Sequence, residues 1–234
     1  MRTFRFRNLA FIIAVTFMGL FRSPGANAQT ISSPYRFIEG SHDFGVMFGI
    51  VQENRGAMGI GPGGGSLLGG RYAIELSGPL ALEAAGYLIP TDRVVYDAVP
   101  GKGLVPLGNT DTMIGGLDVR MRFSLTGDRT WHGVVPFLMA GGGIAGNLSG
   151  PSEFTAEIPA AERVGFGPSF LGIMGGGTRW IPFQRLTLRV ETSLSIWKVE
   201  TPLGFSEVKE DLAVFVDQEW LGVGSLVFGA SYRF

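Results

Sequence analysis

The last sixteen residues, 219–234, read EWLGVGSLVFGASYRF, and toward the end every second residue is apolar or aromatic. Leu226, Phe228, Ala230, Tyr232 and Phe234 fall on one side. Ser225, Gly229, Ser231 and Arg233 fall between them. A period of two sends successive side chains to opposite faces of a strand, so this segment is a β-strand with one apolar face and one polar or closely packed face. Chain ends usually fray. An aromatic residue that completes an apolar stripe at the terminus is therefore unusual for a soluble protein.

The same alternation recurs seven more times, over 42–51, 66–76, 80–89, 112–125, 134–145, 169–181 and 186–196. The seventh of these strands shows it most cleanly. Leu186, Leu188, Val190, Leu194 and Ile196 oppose Thr187, Arg189, Glu191, Ser193 and Ser195. The fifth and sixth are rich in glycine and alternate less clearly. Connections after the second, fourth and sixth strands are short and polar or carry turn residues, as in Ser77-Gly78-Pro79. Those after the first, third, fifth and seventh are long: about 52–65, 90–110, 146–168 and 199–218. Pro90, Pro100 and Pro106 mark the second of these as a loop. Eight strands with alternating connections predict an all-β fold, an eight-stranded antiparallel up-and-down transmembrane β-barrel. A ten-stranded version, with 205–216 forming one more hairpin, is the alternative.

Which face points inward depends on the compartment. Arg2, Arg5 and Arg7, the apolar run Leu9–Phe21 and Ala26-Asn27-Ala28 read as a cleaved secretory signal peptide over 1–28. A mobile lead-in over 29–40 and a barrel domain over 41–234 would follow. Removing the signal's four arginines leaves 15 basic and 20 acidic residues, a formal charge of about −5. That balance disfavours nucleic acid as a partner. There is no cysteine, hence no disulfide framework and no thiolate metal site. Hydrophobic residues make up 45% of the chain and charged ones only 17%, with 37 glycines. A lipocalin-like barrel or a β-sandwich would bury its apolar stripes. An exported chain this apolar instead fits a barrel whose apolar stripes face lipid. Trp180 beside a short turn, and Trp197 and Trp220 near long connections, fit aromatic girdles at two depths.

The terminal Phe234, with Tyr232 and Phe228 at alternate positions before it, resembles the closing strand of bacterial outer-membrane β-barrels. That resemblance implies reading by the barrel assembly machinery during biogenesis. The whole strand plan is similar to the OmpA transmembrane-domain and opacity-like (OmpX/OmpW-like) group. It implies a monomer in the outer membrane of a Gram-negative-type bacterium, in contact with outer-membrane lipid and lipopolysaccharide. The periplasmic peptidoglycan-binding extension frequent in that group has no counterpart after Phe234. The long loops carry no motif that names an extracellular ligand.

With the apolar stripes outward, Asp43, Glu75, Glu83, Asp118 and Glu191 face the lumen with Arg71, Arg120, Arg122, Arg179, Arg189 and Arg233. Eight strands enclose an interior that side chains can fill, and buried arginines and carboxylates satisfy one another. A packed plug of ion pairs is therefore expected, with a structural or surface-interaction role for the protein. A narrow pore for small or apolar solutes is the alternative. A lipid A-modifying enzyme would resemble known barrels that use a histidine near the outer leaflet. Here His42 and His132 both fall at the short-turn end, so no catalytic residue is assigned. No cofactor or metal site is expected, since the two histidines lie far apart. In Gly59–Gly70 no lysine follows the glycines to make a phosphate loop, so they read as a flexible outer loop.

Overall fold

The computed structural model describes residues 33–150, 158–159, 163 and 167–234. The signal sequence and its cleavage site, the lead-in up to 32 and most of the loop 151–166 lie outside the described residues.

The described chain forms ten strands in chain order. These are β1 (Tyr35–Phe37), β2 (His42–Val51), β3 (Gly65–Ser77), β4 (Leu80–Val99), β5 (Gly103–Ser124), β6 (Arg129–Trp131), β7 (Val134–Asn147), β8 (Ser169–Phe183), β9 (Leu186–Glu200) and β10 (Gln218–Arg233). Eight of them close a ring in the order β2-β3-β4-β5-β7-β8-β9-β10, every neighbouring pair antiparallel. The closing pair, β10 with β2, runs from Ser225↔Val51 to Arg233↔Asp43. Beyond it the backbones of His42 and Phe234 exchange two more hydrogen bonds, of 3.2 and 3.0 Å. The terminal aromatic residue is thus locked into the seam. Its ring stacks on His42, and the centroids are 5.7 Å apart.

The stagger of the ring fixes its shape. Leu125 donates its backbone N–H to Pro136. The registers then lead through Thr178, Val190, Phe228, Phe48, Leu68 and Leu88 to Gly115. One circuit returns to β5 ten residues from its start. With a rise of ~3.3 Å per residue and strands ~4.8 Å apart, that stagger tilts the strands by about 40°. Going from β2 toward β8, each register row climbs toward the end that carries the long connections, the loop end.

The alternation sorts side chains into two environments. Phe44, Val46, Phe48 and Ile50 on β2 are about 60% exposed, whereas Asp43 and Met47 between them are buried. Leu117, Val119, Met121 and Phe123 on β5 are exposed, and Asp118, Arg120 and Arg122 are buried. The barrel wears its apolar residues outside and its charges inside, the reverse of a water-soluble barrel. Trp180 and Trp220 lie outward near opposite ends. Trp197 corrects the girdle expectation: it occupies an odd position of β9 and points into the lumen, 9% exposed.

Three connections differ from their sequence readings. The stretch 90–110 is no loop. β4 and β5 continue past the barrel as a hairpin arm, paired from Pro90↔Met113 to Val99↔Gly103. Its prolines hid it. Pro106 pairs with Tyr96 at a register shift, in an arm with free edges where the missing donor is tolerated. The stretch 205–216 is no hairpin: residues Leu203–Asp211 form a 3₁₀-helix, so the ring keeps eight strands. The lead-in also gains order, because β1 pairs with β6 inside the 126–133 turn. Ile38 donates to Asp128, His132 donates to Pro34, and the Arg129 guanidinium sits 4.7 Å above the Phe37 ring. β6 abuts β7, which stands four strands from β2 in either direction around the ring. Residues 38–41 therefore cross the mouth at the turn end as a strap. Gly40 rides so close beneath Arg233 that a Cβ there would lie 2.8 Å from its Cγ.

Val119 lies roughly halfway up the outer wall. Val119→Arg should cost about 2–4 kcal/mol of folding free energy in lipid, and Leu148→Arg beside the loops about 0–1 kcal/mol. Urea titrations in phospholipid vesicles measure both; equal costs would mean that the wall does not face hydrocarbon.

Candidate functional site

Each inward charge stands on a strand whose outward neighbours are apolar, so the period of two that builds the wall also delivers the charges to the lumen. The eleven charged residues singled out in the sequence lie within one connected set of ion pairs. At the turn end Arg233 lies 3.8 Å from Asp43 and 3.7 Å from Glu75. Glu75 also receives Arg122 at 2.5 Å and Arg179 at 3.0 Å. Arg122 reaches on to Glu83, which accepts Arg189 at 2.6 Å. Arg189 in turn forms an ion pair with Glu191. Glu191 takes Arg71 at 2.9 Å and Arg120 at 3.1 Å, and Arg120 ends the series on Asp118 at 2.5 Å. The ladder thus joins residues from seven of the eight ring strands.

Six guanidinium groups face five carboxylates, so the lumen carries about one formal positive charge. Glu83 and Glu191 are almost wholly buried and each touches at least two arginines. Burial of a lone carboxylate would be prohibitive, but multiple charge-assisted bonds offset it. Softer contacts complete the packing. Arg71 points at the Met47 sulfur, 3.3 Å away, and Arg189 lies 4.1 Å over the Phe137 ring. Glycines make room for these long side chains. Gly141, Gly143, Gly175 and Gly177 face inward on β7 and β8, where a Cβ would come within 2.3 Å of a carbonyl oxygen on the neighbouring strand.

Above the ladder the lumen changes character. Toward the loop end its wall is apolar: Tyr87, Ile89, Leu171, Trp197, Val223 and Val227 are buried there. A purely polar interior was expected, and these residues were missed. The signal was present in β10, where Leu221 and Val223 sit at odd positions while Leu226 and Phe228 sit at even ones. That segment is apolar on both faces. The 3₁₀-helix covers the chamber: Phe205 joins its apolar cluster, and Val208 is buried as well. The hairpin arm joins the cover: the Gly101 N–H donates to the Asp211 carboxylate at 2.7 Å.

The glycine-rich loop 52–64, expected to be flexible, is tied down as well. Arg55 bonds Glu53 and Asp92, and both bonds raise its pKa. The Glu219 carboxylate accepts from Ala57 N–H. Free space inside is small, about 10 Å³ beside the ladder and about 30 Å³ in the chamber. That is room for a water molecule or so.

The histidines are placed at the turn end. His42 Nδ1 shares a 2.8 Å hydrogen bond with the Tyr72 hydroxyl, and His132 lies in the β6–β7 turn against Trp131. The expected assembly signal, Phe228, Tyr232 and Phe234, lies outward on β10. Phe228 stacks on Phe48 at 5.6 Å and Tyr232 on Phe234 at 6.5 Å.

No protein-family model and no curated protein matches the sequence. Among solved structures the fold is similar to small outer-membrane β-barrels. The N-terminal β-barrel domain of Pseudomonas aeruginosa OprF matches at 12% identity and a TM-score of 0.46, over 84% of this chain and 100% of that one. Neisserial surface protein A matches at 11% and 0.47, over 86% and 98%. The outer membrane protein AlkL, solved in lipid bilayers, matches at 11% and 0.43, over 91% and 97%.

Removing one ladder carboxylate should strand two arginines. Glu83→Leu leaves Arg122 and Arg189 short of a partner and is expected to lose about 3–5 kcal/mol, while Glu83→Leu combined with Arg189→Met recovers part of it. Equilibrium unfolding in lipid vesicles checks this; a single variant as stable as the parent would mean that the ladder contributes nothing.

Proposed function

We propose that this chain is an integral protein of the bacterial outer membrane with a structural or surface-interaction role and no enzymatic one. The barrel is its anchor and the ordered loop cap its outward face. One observation carries the reading. The wall is apolar outside and charged inside, and the charges close on one another instead of lining a passage. Among the described residues, the hollows beside the ladder and in the chamber hold only about 10 and 30 Å³, too little for a hydrated ion. The cap formed by 52–64, the hairpin arm and 201–217 is held by hydrogen bonds and buried side chains, so it presents a defined surface. Outer-membrane lipid and lipopolysaccharide surround the wall in this reading, and the barrel works as a monomer delivered by the assembly machinery.

A second reading, uptake of a small apolar solute, is favoured by the apolar chamber beneath Phe205. It requires the 203–211 helix to leave its seat, since the chamber is filled when the helix is in place. A lipid A-modifying activity is disfavoured by position, because both histidines sit at the turn end, away from the outer leaflet.

Fractionation and planar-bilayer recording test the assignment together. The expected result is protein in the outer-membrane fraction whose gel mobility shifts on boiling, with no steady conductance after reconstitution. Soluble protein would overturn the membrane assignment. Stable single-channel steps from the parent chain would overturn the closed lumen and favour the pore.

A further inference from the structure

Glycines on the outside of the barrel differ from those on the inside. Inward Gly45, Gly141, Gly143, Gly175 and Gly177 are obligatory, because a Cβ there would strike backbone. Outward Gly172 is the opposite: a Cβ there would meet nothing within 4 Å. At Gly70 the nearest atom would be the Gly45 carbonyl oxygen at 3.7 Å, an ordinary contact. Neither residue has a positive φ. Neither backbone conformation nor packing requires glycine at these two places, and glycine weakens a strand interior. What they provide is empty space on a surface that otherwise carries large apolar side chains.

That space is a shaped trough. Gly70 pairs with Gly86, and Gly86 with Leu117. In the adjacent outward row, Tyr72 pairs with Ala84, Ala84 with Val119, Val119 with Gly142 and Gly142 with Gly172. Small residues of β3, β4, β7 and β8 make the floor on either side of Leu117 and Val119 of β5, which stand up between them, and Phe44, Leu68 and Phe170 rise at its edges. Two adjoining hollows, of about 750 and 790 Å³, meet at Gly86, Leu117 and Ile144. Their upper end reaches Asn147, Leu148 and Pro168, where the loops begin. Because register rows climb from β2 toward β8, the trough slants from the middle of the wall up to the loop end.

We propose that this trough seats one acyl chain of an outer-leaflet glycolipid, with the headgroup at the loop end beside Asn147. The proposal rests on the outer-membrane reading, which places the loop end at the outer leaflet. The trough is continuous with the lipid-facing band of the barrel, so the phase that covers it is hydrocarbon. Arg71 and Asp118 contribute to its floor, but their charged side chains are buried and turn inward to Glu191 and Arg120, so the outer surface that remains suits an alkyl chain. A second copy of the barrel fits poorly, because two identical concave faces leave a void between them. An acyl chain, by contrast, is a flexible rod that fills a slanted trough.

Native mass spectrometry from detergent tests it with two probes, hexa-acylated lipid A and phosphatidylethanolamine. The parent barrel should keep one lipid A under activation that strips phosphatidylethanolamine. The double variant Gly70→Leu/Gly172→Leu, whose added Cβ atoms meet nothing closer than 3.7 Å, puts side chains into the trough and should retain lipid A roughly fivefold less or worse. Gly222→Leu adds the same side chain outward on β10, 3.6 Å from Leu194, and should retain it like the parent. A boiling shift on gels establishes that each variant is a closed barrel. Undiminished retention by the double variant, or an equal loss in Gly222→Leu, overturns the site. Phosphatidylethanolamine held as firmly as lipid A overturns the assignment to glycolipid. A barrel found in the outer membrane that keeps no lipid refutes only the trough, whereas a soluble protein refutes the reading beneath it.

Discussion

The pairing of the last strand with the first ring strand governs the rest of the molecule. Backbone N–H and C=O groups left open at a sheet edge cannot be satisfied in hydrocarbon, so a wall that meets lipid must close on itself. The β10–β2 seam does that, down to the bonds between His42 and Phe234. Closure at eight strands with a ten-residue stagger sets the width of the lumen. That width leaves room for side chains and little else, so whatever faces inward has to fill it and neutralise itself.

The lumen meets that demand in two ways along its length. Near the turn end the filling is ionic, and Glu75, Glu83 and Glu191 each serve more than one guanidinium. Near the loop end it is apolar and sealed from above by Phe205. A hydrophobic seal above an ionic ladder keeps bulk water away from the upper ion pairs, which strengthens each of them by lowering the local dielectric. The two halves therefore support one another, and the loop cap acts as part of the barrel's interior as much as of its exterior.

Much of this was legible in the sequence wherever a period of two met a clear contrast of polarity. The bounds of β2, 42–51, follow directly from it, and so does the inward direction of all eleven charges. The hairpin arm was not legible, because prolines and charges in 90–110 obey the rules of a loop until an exposed, unclosed ribbon is allowed for. The apolar chamber was hidden for a related reason. Alternation disappears when both faces of a strand are greasy, as at Leu221–Val227, and periodicity then says nothing about what lies inside. The β1–β6 pairing involves three residues on each side, too short for any pattern. It follows only once the barrel brings the two segments within reach.

That last pairing has a mechanical meaning. A ring of hydrogen-bonded strands resists stretching along each strand but bends readily across its section, and a round section can flatten into an oval. The segment 38–41 is fastened on one side to β2, next to the seam, and on the other, through β1 and β6, to the wall that faces it. It works as a tie-rod across the open end. Flattening that drew those two walls apart would have to stretch a short length of backbone. The tie thus stiffens the rim where the seam ends, against deformations that would begin to unzip it.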